Sequence, residues 1–194
     1  MILPTLAVMT AAQRHKANHA VNVHLKIMSA KFSIGAFGII FDEQGRVLLC
    51  HRRDRDMWNL PGGGMESGEL PVEAVIREIK EETGLDAAVE RLAGVYSKVD
   101  EDDLVFSFVC RVMGGQLCVT TESSENRYFE PAHLPFNTSP RQVERIHDAL
   151  RAESQPIFRL QTGPSTHEML ERYQEMVGKP LTGIQQEVDK DGNQ

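Results

Sequence analysis

The stretch Gly63–Leu85, GGMESGELPVEAVIREIKEETGL, constrains the fold more than any other part of the chain. It opens on glycines, passes Pro71 and closes on Gly84, the punctuation of a loop, a helix and a stop. Pro71 suits a first helical turn, Ser67 or Glu69 is placed to cap it, and Gly84 suits a C-terminal stop. With an advance of 100° per residue from Glu78, Glu82 falls at about 40° and Glu81 at about −60°. Val72, Val75, Ile76 and Ile79 fall between about 60° and 160°, an apolar stripe beside the carboxylates. The expected helix therefore turns one edge to a core and the next to a surface crowded with negative charge.

Like charges on one helix face repel by about 0.2–0.5 kcal/mol per pair. A solvated acidic face, partly balanced by Arg77 and Lys80, is one explanation. A bound cation is the other. With oxygen donors alone and no His or Cys in the cluster, that cation is Mg²⁺ or Mn²⁺ rather than zinc.

The spacing resembles the Nudix box, G-x5-E-x7-R-E-U-x-E-E-x-G-U with U aliphatic. Gly63, Glu69, Arg77, Glu78, Ile79, Glu81, Glu82, Gly84 and Leu85 occupy every fixed position, and Trp58–Gly63 is similar to the family's lead-in. The resemblance implies a hydrolase that cuts the diphosphate of a nucleoside diphosphate linked to another group. It implies that Glu78 and Glu82 ligate metal, with Glu81 joining directly or through water and the Gly63 carbonyl contributing. It implies that Glu69 and Arg77 form an orienting ion pair. Two alternatives share the fold: a nucleotide-binding regulator that releases no product, and an isoprenoid diphosphate isomerase. The isomerase would also need a Cys and a Glu placed to protonate carbon, and Cys50 shows no such arrangement.

Charge narrows the partners. A net charge of −7 argues against broad nucleic-acid binding, so a phosphate site must be built locally from metal and a few basic residues. Cys50, Cys110 and Cys118 have no metal-ligand spacing and suggest a reducing, cytoplasmic setting; Cys110 and Cys118 are expected as buried apolar residues in strands. No window reaches the length of an apolar transmembrane span, and the N-terminus lacks the basic start of a signal peptide.

The order of elements predicts an α+β fold. Phe32–Phe41 and Val47–His51 read as a hairpin about Asp42–Gly45, and Leu92–Val99 as a further strand. Leu104–Met113 and Gln116–Thr121 read as a hairpin about Gly114–Gly115, with the acidic run Asp100–Asp103 as an exposed loop and Arg127–Phe129 as a short strand. Pro140–Ala152 has helical spacing, with Val143, Ile146, Ala149 and Leu150 facing inward. The resemblance implies a Nudix-type α/β/α sandwich with a mixed sheet between helices. The expected domain spans 31–155. An N-terminal extension covers 1–30. A C-terminal extension covers 156–194, with a helix at 165–177 capped by Ser165 or Thr166 and a flexible tail. The apolar side of that helix, Leu170, Tyr173, Met176 and Val177, packs on the domain or on a second subunit of a homodimer.

Substrate contacts must come from outside the box. Arg52, Arg53 and Arg55 are candidates for diphosphate, and Trp58 for stacking on a base or ribose, with packing as its alternative role. Glu122 and Glu125 lie where a loop glutamate of the family joins the metal site or acts as base; the reading favours Glu125. Marks of narrower substrate classes are missing: Asp100 stands where ADP-ribose hydrolases often carry Pro, and Glu101–Asp103 stand where dinucleoside polyphosphate hydrolases often carry Tyr.

Overall fold

A computed structural model describes residues 32–99, 101–151 and 155–165, with five further positions between 168 and 175. Expectations for residues 1–30 and 178–194, and for the face formed by Leu170, Tyr173, Met176 and Val177, lie outside the described residues.

Among the described residues, eight strands and two helices build the domain. Strands β1 (Ser33–Ile40), β4 (Gly62–Gly64), β5 (Leu85–Lys98), β6 (Glu101–Gly115) and β8 (Ile157–Gln161) form one sheet in the order β4-β1-β6-β5-β8. The sheet is mixed: β1 runs parallel to β6, β5 runs parallel to β8, and the other two pairings are antiparallel. Strands β2 (Val47–Arg52), β3 (Trp58–Asn59) and β7 (Ser123–Phe129) form a second, antiparallel sheet in the order β3-β2-β7.

Alternation along β1 sets the layers. Ala36 and Ile40 face helix α1 (Pro71–Thr83) and pack with Ala74, Val75 and Ile79. Ile39 faces the other way and packs with Ile146 and Ala149 of helix α2 (Pro140–Leu150). The sheet thus lies between two helices, as the family resemblance implies. Gly38 permits the close approach of α1, since a Cβ there would lie 2.6 Å from Ile79 Cδ1. Full burial of Ile79 contributes about 1.5–3 kcal/mol.

Several local expectations are corrected. The Asp42–Gly45 turn forms, with Asp42 N–H bonding Arg46 O at 2.9 Å. After one bridge between Phe41 and Val47, however, β1 and β2 part into different sheets. Gly114–Gly115 ends β6 instead of making a hairpin, and Gln116–Thr121 is not a strand. Gly115 has φ 79°, and a Cβ on it would lie 2.9 Å from Leu85 Cα, so it serves a close approach to the start of β5. The long hairpin is instead β5–β6, and β6 takes Glu101–Asp103 into a strand. Strand β8 was not anticipated. Cys50 and Cys110 are buried, but Cys118 is exposed and outside any strand.

Both helices bury more polar faces than expected. In α1 the inward residues are Ala74, Val75, Glu78, Ile79, Glu82 and Thr83, while Val72 and Ile76 are exposed. Neither Ser67 nor Glu69 caps it. Leu70 is the N-cap residue, and its N–H donates to Glu73 Oε2 at 2.9 Å. Pro71 opens the helix and Gly84 closes it in the left-handed region with φ 77°. In α2 the buried residues are Arg141, Gln142, Arg145, Ile146, Asp148 and Ala149, and Leu150 is exposed. Near the C-terminus Ser165 acts as the expected cap: Glu168 N–H donates to Ser165 Oγ at 3.1 Å, and Ser165 N–H donates to Glu168 Oε2 at 2.6 Å. Among the described residues no helix is long and apolar enough to cross a membrane.

Candidate active site

Strand β4 consists of three glycines, so its neighbours approach the backbone itself. Gly62 N–H donates to Glu82 Oε2 at 2.8 Å. Gly62 has φ 147°, and a Cβ there would lie 2.6 Å from Phe37 Cα. At Gly63 a Cβ would lie 2.6 Å from Glu78 Oε1, so glycine leaves that carboxylate its place. The helical spacing of Glu78 and Glu82 thus presents both to one edge strand.

Arg77 ties this arrangement to the preceding loop. Its Nε donates to Glu69 Oε1 at 2.9 Å and its Nη2 to Glu69 Oε2 at 3.0 Å, a two-pronged bond. Nη2 also donates to Gly64 O at 3.1 Å. Nη1 spans Glu78 Oε1 at 2.9 Å and Glu81 Oε2 at 3.0 Å. Glu66 N–H donates to Glu69 Oε2 at 2.9 Å and closes the turn. The ion pair implied by the family resemblance is therefore present, with Glu69 held below its usual carboxylate range chiefly by the Arg77 bond.

Burial sets the charge states. Glu78 and Glu82 are 8% and 9% exposed, whereas the Glu81 side chain is 48% exposed. Loss of water pushes the Glu82 carboxyl up to about 7; the Gly62 bond opposes this, and the charges of Glu78 and Glu122 add to it. Burial also raises Glu78, against the pull of Arg77. As they stand, no three of these groups among the described residues converge on one point, because Arg77 takes Glu78 and Glu81 as partners. The donors nevertheless suit a hard divalent ion: two sunken carboxylates, of which only Glu78 has an ion-pair partner among the described residues, a third beside them, and a glycine strand that no side chain obstructs.

The two loop glutamates differ in their surroundings. On β7, Asn126 donates to Glu82 O at 2.9 Å, and Tyr128 packs in the cluster under α1. Glu125 alternates to the other face, where it pairs with Arg127 above Trp58 and Phe129. Glu125, the glutamate favoured from sequence, thus sides with Arg127 rather than with Asn126. Glu122 is the glutamate whose charge acts on Glu78 and Glu82.

The arginine cluster is divided. Arg52 and Arg55 both grip Asp54, at 2.7 Å and 2.9 Å, and both line a cavity of about 420 Å³ that borders β4. The Arg52 bond, with Arg55 assisting, holds the Asp54 carboxyl at about 2. Arg53 is elsewhere, with its Nε on Thr120 O at 2.8 Å. Trp58 is 8% exposed and packs edge-on against His51 and Phe129 at 4.9 and 4.8 Å, so it fills core and offers no stacking face. The rest of the cavity wall includes Phe37, Asn59, Arg141 and Arg145, none of which the sequence reading singled out. One signal was available: Arg141 and Arg145 lie four residues apart, on the same side of α2 as Ile146 and Ala149.

Residues 31–149 match the NUDIX domain family. The chain is 36% identical over 118 residues to a putative 8-oxo-dGTP diphosphatase of Bacillus subtilis (strain 168), covering 60% of this chain and 79% of that protein. It is 39% identical over 103 residues to the ADP-ribose pyrophosphatase of Methanocaldococcus jannaschii, covering 50% of this chain and 61% of that protein. The crystal structure of a NUDIX hydrolase from Nitrosomonas europaea superposes with a TM-score of 0.57 at 26% identity, over 66% of this chain and 76% of that one. With the complete box, the sandwich fold and a family match over more than half its length, the chain belongs to the Nudix family and is a Nudix-type pyrophosphohydrolase.

Proposed function

We propose that the protein hydrolyses the diphosphate bridge of a nucleoside diphosphate linked to another group, by attack of water at phosphorus. The observation that carries this reading is the burial of Glu78 and Glu82 against the bare backbone of β4, beside a cavity with arginines in its wall. Glu78 and Glu82, with Glu81 at the rim, would hold Mg²⁺ or Mn²⁺. When bound, such an ion neutralises diphosphate charge and polarises the phosphoryl oxygens.

The remaining roles belong to the chain itself. Arg77 fixes Glu69, Glu78 and Gly64 relative to one another, so the carboxylates are placed before substrate arrives. Arg52 and Arg55 present guanidinium edges to the diphosphate from across the cavity. Glu122 is the group suited to accept the proton of the attacking water, since its charge acts on the box carboxylates. A regulator without turnover finds no support, because no fixed position of the box is substituted. The isomerase reading weakens further: Cys50 is 1% exposed, and burial pushes its thiol far up. Three free cysteines accord with a reducing cytoplasm.

The test is incubation with Mg²⁺ and a panel of NTPs, 8-oxo-dGTP, ADP-ribose, NADH and dinucleoside polyphosphates, with products identified by mass. The expected outcome is a nucleoside monophosphate with solvent oxygen on one product phosphate. Binding without any product would return the protein to the class of regulators.

A further inference from the structure

Helix α2 carries cations on the face where an apolar stripe belongs. Arg145 is 2% exposed, and it lines the same cavity as Gly62–Gly64. Its Nε and Nη2 both donate to the neutral amide oxygen of Gln161, at 3.1 and 2.8 Å. Its guanidinium lies 5.3 Å from the Phe37 ring and 5.4 Å from the Tyr96 ring. The other cations of the cavity wall have carboxylate partners: Arg52 and Arg55 at Asp54, Lys98 at Asp103, and Arg141 at Glu101. Among the described residues Arg145 has no carboxylate within ion-pair distance.

From this geometry we infer that Arg145, with Arg141 beside it, receives an anionic group of the substrate beyond the diphosphate that is cut, and so selects substrates with a further phosphate. This rests on the hydrolase reading above. A buried cation without a directly bonded counter-charge is costly; the two rings and one amide replace its water, and the carboxylates of Asp103 and Glu144 act on it only from beyond ion-pair distance. Desolvation accordingly draws its basicity down, to about 10. A phosphate entering the cavity would supply the missing charge, and a planar guanidinium bonds phosphate through two prongs. The wall also has a surplus of cations over carboxylates, in a chain whose net charge is −7. The placement fits a long ligand: β4 is an edge strand, with the carboxylates of α1 on one side and this cavity on the other. A further phosphate can come from two sources, the third phosphate of a triphosphate or a phosphate on the ribose.

Two matched pairs separate the sources: ATP against ADP-ribose, and NADPH against NADH, each assayed with Mg²⁺ on wild type, Arg145→Met and Arg145→Lys. The expected wild type favours the phosphate-rich member of at least one pair by about tenfold or more in kcat/KM, the scale of one charged hydrogen bond. In Arg145→Met that ratio falls toward one, chiefly through KM, and Arg145→Lys is intermediate. A melting shift read in EDTA checks the site without turnover: tripolyphosphate should raise the wild-type midpoint more than pyrophosphate, and the difference should vanish in Arg145→Met. A role limited to clamping Gln161 would instead depress all substrates equally and leave both ratios intact, which would overturn the inference. So would equal shifts by the two polyphosphates in the wild type, a result that needs no variant to fold. If the wild type cuts none of the four nucleotides, the wider substrate panel above decides the hydrolase reading and the melting shift alone decides the anion site.

Discussion

Gly62 and Glu82, separated by 20 residues, are joined by one hydrogen bond of 2.8 Å from amide to carboxylate oxygen. That bond fixes the last carboxylate of α1 to the edge of the sheet. With the more distant charge of Arg52, it opposes the burial that drives this side chain toward its neutral form.

Glu82→Gln is expected to fold, because an amide oxygen still accepts from Gly62 and a buried negative charge is removed. Turnover should fall by about a hundredfold or more, since the variant loses a charged oxygen from the cation site. Steady-state rates alongside a melting curve decide the matter; near-normal rates would remove Glu82 from the metal assignment.

The stability of the metal-free protein should decline as pH rises. Glu82 has a folded value of about 7, above its ordinary 4.5, so the native state holds the extra proton. Its contribution is fully present below pH 4.5 and is lost as pH climbs through 7, with a span of about 3 kcal/mol. Glu78 shifts in the same direction. Asp54, Glu69 and Glu101 are held low and act oppositely, but they titrate below this window. Urea midpoints in EDTA from pH 5 to 8 should therefore fall, with a shallower slope in Glu82→Gln and recovery on adding Mg²⁺.

Gly63→Ala separates site from scaffold. The new methyl meets only the end of the Glu78 side chain, which can swing aside, so the fold should survive with a displaced carboxylate. Turnover should drop by about tenfold or more while the melting midpoint stays within a few degrees. Gly62→Ala should instead lower the midpoint, because its methyl meets the backbone at Phe37 and its φ of 147° disfavours any side chain.

Glu122→Gln and Glu125→Gln should differ in kcat. Glu122 acts on the box carboxylates, and its loss should slow the chemical step by about tenfold to a thousandfold. Glu125 faces away with Arg127, and its variant should stay near wild type. The reverse order of effects would restore the assignment made from sequence.

Arg77→Lys tests the fork at Glu69. A lysine keeps the charge but not the paired prongs, nor the simultaneous reach to Glu78 and Gly64. A drop of about tenfold in kcat/KM with unchanged secondary structure by circular dichroism is the expected result. Full activity would reduce Arg77 to a surface ion pair.

The box, its helix and its ion pair were legible because they are local: glycine spacing and helical periodicity report on neighbours within a few residues. Strand partnership was less legible. The Asp42–Gly45 and Gly114–Gly115 signals marked real turning points, yet neither says which strand lies alongside, and β1 pairs with β6 some seventy residues later. Apolar periodicity also misread α2, because its buried face is closed by hydrogen bonds at Arg141, Gln142 and Arg145 rather than by Leu150. The Gln142 side chain accepts from the Leu60 N–H, and no pattern in the helix alone could announce that partner. Glu122 and Glu125 differ only by strand parity, which depends on where β7 begins.

Strand β8 matters to anyone who trims this gene. The family match stops at residue 149, but Gln161, the acceptor that seats Arg145, lies twelve positions later on the outermost strand. An expression fragment cut at the apparent family limit would discard that acceptor together with the flank of β5 it covers. Such a fragment would retain the whole box and yet leave the guanidinium of Arg145 without its amide partner.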